Sequence, residues 1–129
     1  MEWKYLKPLK ELKSIQEVEK TYNVNIPQYL KNIILEYNGS RPELKCFDTQ
    51  HYQEKALKSL LSYNKEDKEN IYMFDDIFSK GYIPFAITEF GDLICIENKS
   101  GNIKLYMHEQ DIFEYICETI GKFFEILYL

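Results

Sequence analysis

The side chains that could carry chemistry in this chain are few and widely spaced. They include two histidines, His51 and His108, and three cysteines, Cys46, Cys95 and Cys117. No two cysteines lie close together, and neither histidine belongs to a pattern with the ligand spacing of a zinc site. The sequence therefore predicts no metal and no cofactor.

A second group of candidates consists of carboxylates beside a glycine and a histidine–glutamate pair. Glu89 and Asp92 flank the turn around Gly91, and His108 precedes Glu109. Catalytic acids and bases must reach the same reacting atom, whereas carboxylates at turns are usually just solvated. We interpret His108-Glu109 as a cap that orients the start of the last helix. We therefore expect no catalytic residue and no enzyme.

The cysteines and the apolar runs indicate where the protein resides. Cys95 and Cys117 lie in apolar stretches, where a thiol stays protonated and inert. An odd number of free thiols fits a reducing compartment. No run approaches the roughly 18 apolar residues of a membrane span, and the N-terminus has no apolar segment of signal-peptide length. The sequence predicts a cytoplasmic protein with no membrane contact.

The charge of the chain is concentrated at its C-terminal end. The formal net charge is −5, and residues 84–129 carry 8 acidic side chains against 3 basic ones. An anionic surface repels nucleic acid and attracts a basic protein. Candidate partner-binding residues therefore combine a charge with a position at a strand end or turn. They are Asp48, Glu89, Asp92, Glu97, His108 and Glu109.

Three short apolar runs form the centre of the predicted fold. They cover residues 82–87, 93–97 and 103–107, and each separator holds a glycine among polar residues. Parallel strands need long crossovers, so runs this close together must pair as an antiparallel meander. Two further strands are predicted at 43–49 and 56–63, although the second also fits a helical period. The edge at 43–49 could pair with a second copy, which leaves a monomer or a weak homodimer.

Helices are predicted before, within and after these strands. Ser14 and Glu17 have the spacing of a capping box, and Pro27 suits the first residue of a second helix that ends at Asn38-Gly39. A middle helix is predicted from Asn64–Asp67 to Gly81. Asp111 and Glu114 repeat the capping-box spacing before an apolar stripe that runs to residue 127, which predicts a long C-terminal helix.

Length and element order together predict one α+β domain. A chain of 129 residues fits a single domain that spans residues 1–129. We expect a central antiparallel β-sheet flanked by N-terminal helices, one middle helix and the long C-terminal helix. A sheet is the only element large enough to cover the apolar face of that last helix.

The order of several short motifs resembles a known family. The motifs are Trp3, Ile26-Pro27-Gln28-Tyr29-Leu30, Asn38-Gly39, Ile83-Pro84-Phe85-Ala86, Gly91-Asp92 and His108-Glu109. Together they are similar to the SUKH superfamily, the SMI/KNR-type domains. The resemblance implies an α+β fold with a central antiparallel sheet. It also implies, for many bacterial members, an immunity protein that neutralises a cognate secreted toxin, frequently a nuclease.

Two functions therefore remain open. The first is an immunity protein whose acidic surface covers a basic toxin domain, without direct contact to nucleic acid. The second is a small-ligand or regulatory binding domain of the same fold, with tyrosines lining a concave sheet. A pocket of several hundred cubic ångströms that converges on tyrosine hydroxyls would favour the second function.

Overall fold

A six-stranded antiparallel sheet, a separate two-stranded antiparallel sheet and four α-helices make up the molecule. The computed structural model describes residues 1–129. The helices are α1 (Ser14–Tyr22), α2 (Gln28–Tyr37), α3 (Asp75–Ser79) and α4 (Ile120–Ile126), with a 3₁₀ turn at Ile71–Met73. The strands are β1 (Trp3–Lys4), β2 (Arg41–Pro42), β3 (Cys46–Phe47), β4 (Lys55–Leu60), β5 (Tyr82–Thr88), β6 (Leu93–Glu97), β7 (Ile103–Met107) and β8 (Ile112–Cys117). No helix is both long enough and apolar enough to cross a lipid bilayer.

The predicted meander is confirmed and forms the middle of a six-stranded sheet in the order β3-β4-β5-β6-β7-β8. All neighbouring strands are antiparallel. Residue Ile94 lies between Ala86 on β5 and Leu105 on β7. Every residue of β5 is buried, as expected for a central strand that is covered on both faces.

Aromatic side chains fill the space between the sheet and α4. Phe123 is fully buried and meets Phe47 and Phe85 edge-on, with ring centroids 5.6 Å apart in both pairs. Edge-to-face contacts of this kind add to the stabilisation from burial. The first helices complete the core on the predicted faces, because Val18 of α1 and Leu30 of α2 are also buried.

The prediction of a long C-terminal helix is wrong. Residues 112–117 form strand β8, and only Ile120–Ile126 is helical. Asp111 has a left-handed φ of 55° in the turn before β8, so it does not cap a helix. The cap is instead Thr119, whose hydroxyl accepts a hydrogen bond from the amide of Lys122 at 3.1 Å. The β-branched and aromatic residues of 112–117 favour the strand, and the open edge of β7 offers it hydrogen bonds.

Several smaller predictions are also corrected. Helix α1 begins at Ser14 behind Lys13 with no side-chain cap, so the Ser14–Glu17 capping box is absent. The strand expected at 56–63 is confirmed as β4, and the one expected at 43–49 shortens to β3. The predicted middle helix is reduced to the 3₁₀ turn and α3. The outer edge of β3 is occupied, since Cys46 exchanges two backbone hydrogen bonds with Tyr128.

A buried polar network, which the sequence did not reveal, ties the N-terminal segment to the core. The side chain of Asn38 is buried, and its amide nitrogen donates to the carbonyl of Lys7 at 2.8 Å and to Ser62 Oγ at 3.0 Å. Its oxygen accepts a hydrogen bond from the backbone N–H of Tyr63 at 2.9 Å. The network continues through Asn64, which donates to the carbonyl of residue 8 at 2.9 Å.

Candidate functional site

Three loops meet at one end of the sheet and form an open cleft. They are the β5–β6 turn, the β7–β8 turn and the segment that enters β4. Antiparallel pairing brings these chain segments to the same edge. The cleft has two lobes of about 300 and 280 Å³, with four residues common to both. We call it the sheet-end cleft. Four residues border both lobes: Tyr52, Lys55, Phe90 and Asp92. The first lobe is also bordered by Glu54 and Glu89. The second lobe is also bordered by His108 and Glu109.

The β5–β6 turn is held rigidly by its own hydrogen bonds. The amide of Thr88 donates to the carbonyl of Asp92 at 2.8 Å, and the amide of Asp92 donates to Thr88 Oγ1 at 3.0 Å. Gly91 has a φ of 90°, a backbone conformation that is unfavourable for residues with a Cβ atom. The turn presents Phe90 at its tip with 85% of the residue exposed. The turn therefore presents an aromatic ring to solvent.

An Asp92–His108 contact links the two turns. Nδ1 of His108 lies 2.6 Å from Oδ1 of Asp92, and the backbone amide of His108 donates to the same oxygen at 3.2 Å. The Asp92 side chain is largely buried, whereas that of His108 is about half exposed. The expected helix cap at His108-Glu109 is therefore wrong, because both residues belong to a turn between strands.

The charges of the cleft are only partly neutralised. Glu89 forms an ion pair with Arg41 at 2.8 Å. Glu54 and Glu109 form no ion pair. Lys55 makes none either, and its Nζ lies 4.9 Å from the centroid of the Tyr52 ring. The cleft thus keeps two free carboxylates, one in each lobe, and the exposed ring of Phe90 borders both lobes.

The family of the chain follows from its sequence match. Residues 11–126 match the model of the SMI1/KNR4 family (SUKH-1). The chain belongs to this family. The resemblance drawn from the short motifs is thereby confirmed. No curated protein and no solved structure matches the chain significantly.

Asp48 lies next to the cleft of this SUKH-1 domain and does not line it. Its Oδ1 accepts hydrogen bonds from the hydroxyl of Tyr128 at 2.6 Å and from the amide of Glu54 at 3.0 Å. The bond from Tyr128 is the main reason that the pKa of Asp48 is lowered, and it raises the pKa of Tyr128 to about 12. Asp48 thus positions the segment that carries Glu54.

Glu97 lies at the opposite end of the sheet from the other predicted residues. It is the last residue of β6, whereas the β5–β6 turn precedes that strand. Its carboxylate accepts hydrogen bonds from Ser100 Oγ at 2.6 Å and from Lys104 Nζ at 3.4 Å, and the bond from Ser100 contributes most to lowering its pKa. The structure thus brings Glu89, Asp92, His108 and Glu109 together, places Asp48 beside them and separates Glu97.

Two residues that shape the sheet-end cleft, Phe90 and Glu114, are not among the candidates predicted from the sequence. Phe90 was detectable as the lone apolar residue of a polar turn. Glu114 was not, because its role depends on contacts distant in sequence. Its buried carboxylate accepts hydrogen bonds from the amide of His51 at 2.7 Å and from Thr49 Oγ1 at 3.1 Å, and it lies 2.9 Å from His51 Nδ1. These contacts fix the loop that carries Tyr52.

The environment of Glu114 agrees with this anchoring role. Burial alone would raise the pKa of its carboxyl, but the hydrogen bonds from His51 and Thr49 outweigh burial and lower it. A carboxylate that stays ionised is the form that can accept three donors at once. No group of three or more His, Cys, Asp or Glu side chains has a geometry that could hold a metal ion.

Proposed function

We propose that this SUKH-1 domain is an immunity protein that binds a cognate secreted toxin and neutralises it without turnover. The observation that carries the proposal is the sheet-end cleft, where the exposed ring of Phe90 stands between the free carboxylates Glu54 and Glu109. Binding surfaces commonly combine an aromatic anchor with a charged rim. The family supports the class of function, and the charge of the cleft supports a basic partner.

The rigidity of the cleft favours binding to a protein surface. The hydrogen bonds within the β5–β6 turn and the Asp92–His108 contact hold the cleft walls before a partner arrives. A prearranged surface loses less conformational entropy on association. Its unneutralised carboxylates speed encounter with a basic domain and orient it. Tight, fast binding of this kind is what neutralisation of a toxin requires.

A nuclease is the toxin class that best matches this surface. Nucleases bind phosphate through basic grooves, and the free carboxylates Glu54 and Glu109 can occupy such a groove in place of the substrate. Neutralisation would then occur where nucleic acid and toxin meet, in the cytoplasm. The three cysteines are free, which is compatible with that reducing compartment.

The alternative function, small-ligand binding, receives less support from the geometry. Both lobes of the cleft are open, and only one tyrosine, Tyr52, borders them. A smaller cavity of about 220 Å³ is bordered by Tyr63 and Tyr72 and otherwise by polar and charged residues. The hydroxyl of Tyr63 is closed off from solvent, so it does not offer a ligand contact.

Co-expression tests the proposed function directly. The toxin candidate is the C-terminal domain encoded by a large reading frame next to this gene, and the readout is survival of cells that express both proteins. We expect the unchanged chain to rescue growth. The double substitution Glu54→Lys with Glu109→Lys should abolish rescue, because it reverses the two free charges of the cleft without breaking an ion pair.

The matched control is a charge reversal of equal size outside the cleft. Glu36 on α2 and Glu43 just after β2 are both exposed and form no ion pair. The double substitution Glu36→Lys with Glu43→Lys therefore changes the net charge by the same amount. This control should rescue as well as the unchanged chain. Failure of the unchanged chain to protect cells would contradict the toxin-neutralising function. Equal loss of rescue in both double variants would contradict the assignment to the cleft.

A further inference from the structure

We propose that the sheet-end cleft binds an arginine side chain of its protein partner, with the guanidinium stacked on Phe90 and hydrogen-bonded to Glu54 or Glu109. This inference rests on the proposed function, because the arginine belongs to the basic toxin domain. It goes further in naming the side chain recognised and the ring that selects it.

The ring of Phe90 is available for such a contact. The residue is 85% exposed at the tip of a turn fixed by the Thr88–Asp92 hydrogen bonds. It borders both lobes of the cleft, while Glu54 borders one lobe and Glu109 the other. An exposed phenylalanine contributes nothing to the core. Its position at the tip of the turn, bordering the same cleft as two free carboxylates, instead suits a planar cation that can stack on a ring and donate hydrogen bonds from its edge.

The cleft already contains one cation on an aromatic ring. Lys55 Nζ lies 4.9 Å from the centroid of Tyr52, within the range of cation–π attraction. This pair places a cation of the chain itself over the ring of Tyr52. Tyr52 is therefore occupied from within, and Phe90 is the aromatic ring left for a cation brought by the partner.

Arginine fits this arrangement better than lysine. The guanidinium is planar, so it can stack on the Phe90 ring while its N–H groups, which lie in the plane, reach carboxylates beside the ring. An ammonium group is compact and strongly hydrated, and it cannot make both contacts with the same geometry. The carboxylates and the ring would each attract either cation, but only the planar guanidinium can contact both at the same time.

The test uses three short peptides that differ only in carrying arginine, lysine or citrulline at the same positions. Each is titrated into the full-length protein, and the amide signals of Glu54, Phe90 and Glu109 are followed by NMR. We expect the arginine peptide to bind about two- to fivefold more tightly than the lysine peptide, the range typical of an exposed cation–π contact. The uncharged citrulline peptide should cause no shift.

Two substitutions of Phe90 distinguish the contribution of the aromatic ring to peptide binding from that of the carboxylates. Phe90→Leu should remove the preference for arginine over lysine while both peptides still bind, and Phe90→Trp should keep it. Because the side chain is exposed, neither change should alter the fold, which amide spectra will show directly. Equal affinities for the two basic peptides in the unchanged protein would overturn the inference. So would a preference that survives in Phe90→Leu, or shifts confined to the Glu97 end of the sheet.

This experiment and the rescue experiment fail in different ways. If the chain does not neutralise the toxin but prefers the arginine peptide in a Phe90-dependent way, the proposed function is contradicted and the arginine site is supported. In the opposite case, rescue depends on Glu54 and Glu109, Phe90→Leu leaves rescue unchanged, and the titration shows no preference for arginine. That result would support the toxin-neutralising function and contradict the arginine site.

Discussion

Replacing the buried Asn38 by alanine should destabilise the domain strongly. Its side chain makes three hydrogen bonds, to the carbonyl of Lys7, to Ser62 Oγ and to the amide of Tyr63. Ser62 keeps other partners, because its hydroxyl also contacts Asp67 and the amide of the nearby Asn64. The amide of Tyr63 keeps none.

The size of the effect follows from which groups lose their partner. A buried N–H left without an acceptor costs about 1–3 kcal/mol, and a lost hydrogen bond to a more accessible group, such as the carbonyl of Lys7, costs about 0.5–1.5 kcal/mol. We therefore expect Asn38→Ala to lower the free energy of unfolding by about 2–4 kcal/mol. That is a large part of the roughly 5–15 kcal/mol that stabilises a typical domain.

Urea denaturation, followed by far-UV circular dichroism, measures this change. The matched control is Asn32→Ala, which removes an exposed asparagine of α2 whose side chain accepts one hydrogen bond, from Gln28 at 2.9 Å. That control should change the free energy of unfolding by less than about 0.5 kcal/mol. A loss below about 1 kcal/mol for Asn38→Ala would contradict the structural role of Asn38, since it would mean that water replaces the lost partners.

Two further predictions concern titratable groups. In Tyr128→Phe the pKa of Asp48 should rise towards its ordinary value, because the hydroxyl that favours the carboxylate is gone. Because its pKa is lowered in the folded state, Asp48 stabilises the protein at pH values above its unfolded-state pKa, and this stabilisation is lost as the pH falls through the folded-state pKa. Carboxyl NMR titration should show the higher pKa of Asp48 in the variant. Acid denaturation should show that the variant loses less stability between neutral and low pH. Iodoacetamide at neutral pH should modify Cys46 and spare Cys95 and Cys117 in intact-mass spectra, because burial raises the pKa of both thiols, that of Cys117 to about 11. Rapid alkylation of Cys95 in the folded protein would contradict its burial.

Local patterns in the sequence were sufficient for the meander and for the first two helices. Runs separated by short glycine turns can only pair with their neighbours, and the structure places β5, β6 and β7 where the runs lie. The faces of α1 and α2 also followed from spacing, since Ile15 and Ile34 are buried as the helical period requires. Such features depend on residues close together in the chain.

The C-terminal third shows where local patterns stop being decisive. Nearly every residue at 112–117 is apolar, and an apolar run of this kind fits both a strand and a helix. Residues 112–117 form a strand because they pair with the free edge of β7. This pairing places the ring of Phe113 against the ring of Tyr82, with 3.8 Å between the centroids. β7 is the neighbouring run in the sequence, but Tyr82 lies on β5, far back in the chain, so the apolar pattern of 112–117 does not by itself indicate this contact.

The family, the α+β class, the central meander and the acidic character of the C-terminal third could all be predicted from the amino-acid sequence. The tertiary structure decided which charges act together. Antiparallel hairpins alternate their turns between the two ends of a sheet, so Asp92 and His108 meet at one end while Glu97 lies at the other. Only the folded chain shows that Glu89 is neutralised by Arg41 and that Phe90 stands exposed between the two free carboxylates. Charge and burial at a site depend on distant partners, whereas secondary structure depends mainly on near ones.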